Sequence, residues 1–332
     1  MRTTLAMVAA EVGVSKATVS KVLNGRPDVG ADTRARVERA LADHGYVPVR
    51  RTPKRKRVRT VSLVCDDLLS PYTSELMRGV VSAATEAEVD VVVAALESWR
   101  SRGSGGAGIL VAACEVTEKQ AKALDRARQP VVAIDALKLP STEVVTVGST
   151  NATGAMEATE HLLGLGHERI AFAGGPETSS CGQARLHGYL AAMSQAGLRV
   201  DPEFVSHGTY VTATGVSEGR RLLALEQPPT AVFAANDAIA VGVIEAARLR
   251  GLAVPADLSV VGFDDTVLAE SSTPPLTTVR QSLQDLGAYA LKTLLSLGDG
   301  IVPGLRHVEL ATELVIRSST GRAAAVPPCG RG

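Results

Sequence analysis

Apolar residues near the N-terminus recur at helical spacing. Leu5, Val8, Ala9 and Val12 form one stripe, Gly13 interrupts it, and Ser15 offers an N-cap to a second stripe of Val19, Val22 and Leu23. The outer face of that second helix carries Lys16, Ala17, Thr18, Ser20 and Lys21, a short polar surface suited to a major groove. A turn at Gly25-Arg26-Pro27 follows. Asp32 is placed to cap a third helix through residue 43, with Val37, Ala40 and Leu41 inward, Gly45 as its stop, and Tyr46 and Val47 closing the core before Pro48. The pattern predicts a three-helix, helix-turn-helix headpiece over residues 1–47. The competing reading is a plain helical hairpin that binds nothing, and the flanking charge favours the DNA reader.

From residue 61 the texture changes to short apolar runs alternating with helical stretches. Strands are predicted over 61–65, 89–95, 108–112, 131–134, 144–147, 169–173, 231–234 and 258–262. Helices are predicted over 72–88, 117–128, 152–163, 183–196, 216–225 and 238–250, several stopping at Gly164, Gly197 or Gly251. Near-continuous Val/Ile/Ala strands separated by helices indicate parallel α/β structure. Residues 61–320 exceed what one sheet comfortably holds, so two doubly wound lobes with a ligand cleft between them are expected, ahead of a disordered tail over 321–332.

Charge sharpens the division. The 332 residues carry no net charge, yet residues 1–60 hold fourteen Lys and Arg against five acids, and the remainder holds 21 against 30. One end therefore attracts a polyanion that the other repels. The stretch RRTPKRKRVR, within a linker assigned to 48–60, concentrates seven bases and is read as touching phosphate, with a solvated hinge as the alternative. No run of eighteen apolar residues or signal-like core occurs, which excludes a membrane protein and predicts a cytoplasmic one. Cys65, Cys114, Cys181 and Cys329 are scattered, without metal-ligand spacing, and are read as reduced and structural.

Polar side chains cluster where strands end. Asp66, Asp135, Asn236, Asp237, Asp264 and Asp265 follow predicted strands, where ligands of open α/β sheets sit. Carboxylates and amides suit vicinal hydroxyls, Arg185 could add a planar fork, and Tyr72 could stack on a sugar face. Each Asp or Asn is equally well placed merely to cap the following helix. Enzyme motifs fare worse. Gly103, Gly105 and Gly108 match G-x-G-x-x-G but lead into the strand-like ILVAA. Gly215-Val-Ser217-Glu-Gly219 matches G-x-S-x-G without a strand entering the serine, and reads as a helix start. His161 and His167 lie off metal-binding spacing. No catalytic residue, metal or cofactor is expected; a hydrolase built on Ser217 and a pure sugar-transport receptor remain as alternatives.

The chain resembles the lactose-repressor/galactose-repressor family. The resemblance rests on VAAEVGVSKATVSKVLNGRPDVGADTRARVERALADHGYVP, HLLGLGHERIAFAGG, ARLHGY, TAVFAANDAIAVGV, DLSVVGFDD and PPLTTVRQ. It implies a homodimer reading near-palindromic operator DNA, with each core shaped like a periplasmic sugar-binding protein and the chain passing between lobes near 149, 275 and 310. Lys16, Ala17 and Thr18 would read bases, with Lys21 and Asn24 flanking. Thr4, Ser15, Ser20, Thr33, Arg50, Arg51, Lys54 and Arg55 complete the expected DNA-binding set. A carbohydrate effector would meet Tyr72, Asp135, Arg185, Asn236, Asp264 and Gln281. The resemblance thus implies a repressor of carbohydrate-utilisation genes. Two departures stand out. Residues 49–59 lack the leucine of the family's hinge helix and contain Pro53, and only ESWRSRGSGGA separates the second and third strands, where the family places another helix.

Overall fold

Helix α1 (Leu5–Val12) begins where Thr4 Oγ1 accepts the Met7 amide at 3.4 Å and ends on Gly13, whose φ of 70° suits only a residue without Cβ. Ser15 then caps α2 (Lys16–Leu23), its Oγ accepting the Thr18 amide at 3.1 Å. The third helix, α3 (Ala31–Asp43), departs from expectation at its start. Its N-cap is Gly30, and Asp32 lies in the first turn, where its charge faces the positive end of the helix dipole. Val8, Val19 and Val37, all fully buried, are the centre of this small core, with Tyr46 packed at its edge.

The computed structural model describes residues 4–23, 26–44, 46, 59–97, 99, 106–113, 116–135 and 144–323. Gly45 and Val47, Asn24, the linker bases Arg50, Arg51, Lys54 and Arg55, Gly103 and Gly105, and Cys114 and Cys329 lie outside the described residues. The chain separates into two compact units, residues 1–57 and 58–332.

The larger unit contains two sheets. The first lobe runs β1 (Arg59–Cys65), α4 (Pro71–Glu86), β2 (Val89–Ala95), β3 (Gly106–Ala112), α5 (Glu118–Ala127), β4 (Val131–Ile134) and β5 (Val145–Ser149). The second runs α6 (Asn151–Gly164), β6 (Ile170–Ala173), α7 (Ser180–Gln195), β7 (Val205–Ser206), α8 (Thr212–Leu222), β8 (Ala231–Ala234), α9 (Asp237–Leu249), β9 (Ser259–Asp264), α10 (Val267–Ser271) and β10 (Thr277–Gln281). The chain then returns to the first lobe for α11 (Leu283–Gly298) and β11 (His307–Leu310) before ending in the second with β12 (Thr312–Val315). Strand orders are β11-β5-β4-β3-β1-β2 and β12-β10-β9-β8-β6-β7, and only the β10–β12 pairing is antiparallel. Strands β3, β4, β6, β8 and β9 are almost wholly buried, as their unbroken apolar runs require.

Three passages join the lobes, at Thr150, Ser282 and Ala311. The middle one lies beyond the expected position near 275, because PPLTTVRQ contains β10, paired in register with β9. Strand β1 already begins at Arg59, inside the span assigned to the linker. Residues 321–323 are not a free tail: the Ala323 amide donates to Leu165 O at 3.0 Å, and buried His167 reaches Gly321 O from Nε2 at 3.0 Å. Gly166, at φ 89°, takes the left-handed position expected of Gly164. Helix α8 starts at Thr212, so Ser217 sits mid-helix, its Oγ donating to Thr214 O at 2.9 Å.

Glycines let helices touch backbone to backbone. A Cβ on Gly79 of α4 would stand 1.8 Å from Gln284 O of α11. Gly79→Ala should therefore cost about 2–3 kcal/mol in urea denaturation of the full chain. Gly164→Ala, with nothing within 4 Å of the added methyl, should instead stabilise by about 0.5–1 kcal/mol.

Candidate effector cleft and DNA-reading face

The carboxyl ends of β1 and β4 in one lobe and of β8 and β9 in the other face a common cleft, open to solvent, with about 780 Å³ of empty space. Five of the six effector positions line it: Tyr72, Asp135, Arg185, Asn236 and Asp264.

Each is held by its neighbours. Ser70 caps α4 by accepting the Thr73 amide at 3.1 Å, and Pro71 occupies the first helical position. That places Tyr72, whose hydroxyl donates to Asp135 Oδ2 at 2.7 Å. Asp135 follows β4 directly at φ 43°, a left-handed conformation costly for a residue with Cβ. Burial raises its carboxyl above the usual range, and the Tyr72 hydrogen bond opposes the rise. On the opposite lobe Asn236 caps α9, its Oδ1 accepting the Ile239 amide at 2.9 Å. The capping and cleft-lining readings of Asn236 are therefore both correct.

Arg185 projects from α7 into a fully buried setting. Its Nε donates to Asn151 Oδ1 at 2.8 Å and Nη1 to Ala235 O at 2.5 Å, while the guanidinium lies 3.8 Å from the centre of the Phe263 ring. Asp264 Oδ1 stands 3.5 Å from Arg185 Nη1 and accepts Gln281 Nε2 at 2.6 Å. Burial pushes the Asp264 carboxyl up to about 6 against the pull of Arg185 and Gln281. Arg185 Nη2 and Asp264 Oδ2 carry no hydrogen bond among the described residues, so a fork of donors and a carboxylate acceptor remain for a ligand.

The other strand-end acids divide. Gln281 does not line the cleft and acts on it through Asp264. Asp237 is tied off structurally, accepting Thr278 Oγ1 at 2.6 Å and the Thr266 amide at 2.7 Å. Burial and the charge of Asp264 lift it to about 8. Asp265 clamps Arg280 at 2.7 Å and Arg317 at 2.6 Å, outside the cleft, and exposed Asp66 leaves the lining to its neighbour Asp67. Tyr210 and Ser179 line the cleft unforeseen, their hydroxyls 2.8 Å apart. Tyr210 sits in a loop with no periodicity to mark it. Cys65, buried, and Cys181, half-buried, are free thiols lining the same cleft.

In the headpiece, Lys16 and Ala17 are exposed on α2, and Thr18 Oγ1 lies 2.9 Å from Ser15 Oγ. Lys21 is engaged with Asp28 at 2.7 Å. Exposed Thr4 caps α1, and Thr33 is half-buried in the first turn of α3.

Sequence-family comparison matches residues 4–49 to "Bacterial regulatory proteins, lacI family" and residues 159–320 to a periplasmic binding protein-like domain. The chain is 33% identical over 328 residues to the HTH-type transcriptional repressor CytR of Escherichia coli strain K12, covering 96% of each protein. It belongs to the lacI family of bacterial regulatory proteins. A second lacI-family relative, the HTH-type transcriptional regulator CelR of Thermobifida fusca, is 34% identical, covering 96% of this chain and 98% of that one. The structure of a CelR–cellobiose complex superimposes with a TM-score of 0.74 at 33% identity, covering 96% of this chain and all of that one. A lac repressor dimer bound to operator and the anti-inducer ONPF gives 0.69 at 28% identity, covering 97% of this chain and all of that one. This lacI-family chain is accordingly a DNA-binding transcriptional regulator and not an enzyme. No helix among its described residues is long and apolar enough to cross a membrane.

Because the folded pKa of Asp264 lies above its unfolded value of 3.8, folding favours its protonated form. Its contribution to stability is therefore fully present below about 4 and is lost as the pH rises through about 6. Melting temperatures taken from pH 4 to 8 should show a downward slope across that window, and Asp264→Asn should reduce it, the remainder coming from Asp237, lifted to about 8.

Proposed function

We propose that this lacI-family regulator is a cytoplasmic repressor of carbohydrate-utilisation genes, acting as a homodimer on a near-palindromic operator and modulated by a small carbohydrate seated between the two lobes of each core. The observation that carries the reading is the open pair at the cleft centre. Arg185 Nη2 and Asp264 Oδ2 are a matched donor and acceptor, held in place by Asn151, Ala235 and Gln281 and left without hydrogen-bond partners among the described residues. That pair recognises adjacent hydroxyl groups, which donate to a carboxylate and accept from a guanidinium. The relatives support the class of ligand, since CelR is described in complex with cellobiose. The lac repressor dimer supports both operator and assembly.

The coupling is reciprocal, so a sugar that binds one lobe arrangement better must change DNA affinity in the same proportion. Asp264→Ala and Arg185→Ala should each retain operator binding in a mobility-shift assay while losing the response to effector. Variants as responsive as the parent protein would refute the site. Effector affinity should also fall by up to about tenfold per pH unit below about 6, as Asp264 takes up a proton and ceases to accept from the ligand.

On the headpiece, Lys16, Ala17 and Thr18 are the base-reading residues in this proposal, with Thr4, Ser15, Ser20, Thr33, Lys21 and Asn24 beside them and Arg50, Arg51, Lys54 and Arg55 on phosphate. Lys21 exchanges its exposed ion pair with Asp28 for a phosphate oxygen. Lys21→Ala should weaken binding to all sequences alike and lower the slope of log K against log salt by about one. A loss confined to the specific operator would instead make Lys21 a base reader.

A further inference from the structure

The cleft walls are acidic, and this bears on which form of a carbohydrate they admit. Asp67 and Asp135 come from the first lobe and Asp264 from the second, with Asp237 taken up by Thr266 and Thr278, while Arg185 is the single cationic side chain among the described lining residues. Its charge is already matched by Asp264, 3.5 Å away with both side chains buried. Arg280 and Arg317, the nearest bases on the second sheet's flank, are bound by Asp265 and do not reach the cleft.

Helix N-termini, whose backbone amides ordinarily bind phosphate, also reach the cleft, and in three of them a cap already takes one amide. The Thr73 amide of α4 goes to Ser70 Oγ at 3.1 Å, the Gly182 amide of α7 to Ser179 Oγ at 3.0 Å, and the Ile239 amide of α9 to Asn236 Oδ1 at 2.9 Å.

Resting on the carbohydrate-sensor reading above, we infer that the effector is a free, unphosphorylated polyol and that the cleft rejects its phosphate ester. A phosphoryl group placed between the lobes would bring two negative charges beside Asp135 and Asp264, where the one lining cation among the described residues, Arg185, already has its charge matched by Asp264. The regulator then reports a molecule that a kinase consumes, made available by hydrolysis or by uptake without modification. A transport reaction that phosphorylates the sugar on entry would deliver a species this cleft does not bind.

Calorimetric titration and thermal shift on the full chain test the inference with matched pairs: cellobiose and cellobiose 6′-phosphate, glucose and glucose 6-phosphate, galactose and galactose 6-phosphate. In whichever pair responds, the free member should bind at least about a hundredfold more tightly. Asp135→Asn, which removes one facing charge and keeps the shape, should narrow that ratio by about tenfold. A phosphate ester that binds as well as its parent, or a ratio unmoved in Asp135→Asn, overturns the electrostatic inference while leaving a carbohydrate sensor intact. Silence from every pair, with operator binding unaffected by all six compounds, overturns the sensor reading and the inference together.

Discussion

A full positive charge buried at the base of a cleft is the constraint around which the larger unit is arranged. Removing a guanidinium from water costs several kcal/mol even after relaxation, so Arg185 survives only because its surroundings replace the lost solvent. They do so from three places in the chain. Asn151 opens the first helix after the lobes are first bridged, Ala235 follows β8, and at the end of β9 Asp264 supplies a carboxylate and Phe263 a ring face. These partners fix the guanidinium plane and leave one nitrogen for a ligand. Rigidity is thus obtained before binding, which lowers the ordering cost of recognition.

The same residues tie recognition to the passages between lobes. Asn151 follows Thr150, whose Oγ1 lies 2.9 Å from Thr312 Oγ1 and accepts the Thr312 amide at 3.0 Å, so the first and third passages are clasped side by side. Gln281, the last residue of β10, holds Asp264 and stands immediately before the second passage. A ligand that draws Arg185 or Asp264 acts on side chains whose hydrogen-bond partners, Asn151 and Gln281, sit beside the passages that join the lobes. Backbone strain adds to this, since Asp135 at φ 43° and Asp264 at φ 110° are both held in conformations that L-residues avoid. Such strain persists where surrounding structure over-determines it, and here it aims two carboxylates into one space from opposite lobes.

Which parts were legible in the sequence follows from how local their causes are. The headpiece helices, the edge strand 89–95 and the buried strands 131–134 and 231–234 are written in nearest-neighbour patterns, and the structure places those strands over the same residues. Helix α11 and strands β10 to β12 escaped because their partners are remote in sequence: α11 packs on α4, and β10 draws its register from β9. Thr277–Gln281 alternates weakly and follows two prolines, so nothing local distinguishes it from a connector. The G-x-S-x-G match shows the opposite failure. Gly215 and Gly219 lie one turn apart on α8, and their missing side chains admit the Ile239 carbonyl and Ala246 methyl of α9. A spacing that resembles a catalytic elbow is here the period of a helix packed closely on another.

The strand-end acids show why capping and ligand binding were poorly separable as alternatives. In parallel α/β folds the carboxyl end of a strand is also the amino end of the next helix, so a polar residue there meets orphan amides and the ligand space at once. Asn236 satisfies Ile239 with Oδ1 and turns Nδ2 toward Tyr210 O at 3.4 Å, and Ser179 caps α7 with the oxygen that meets Tyr210. The cap costs the site little and fixes the rotamer that the site requires. It also takes one backbone amide at each of these helix ends in both lobes, while carboxylates of both lobes, Asp135 and Asp264, face the same gap.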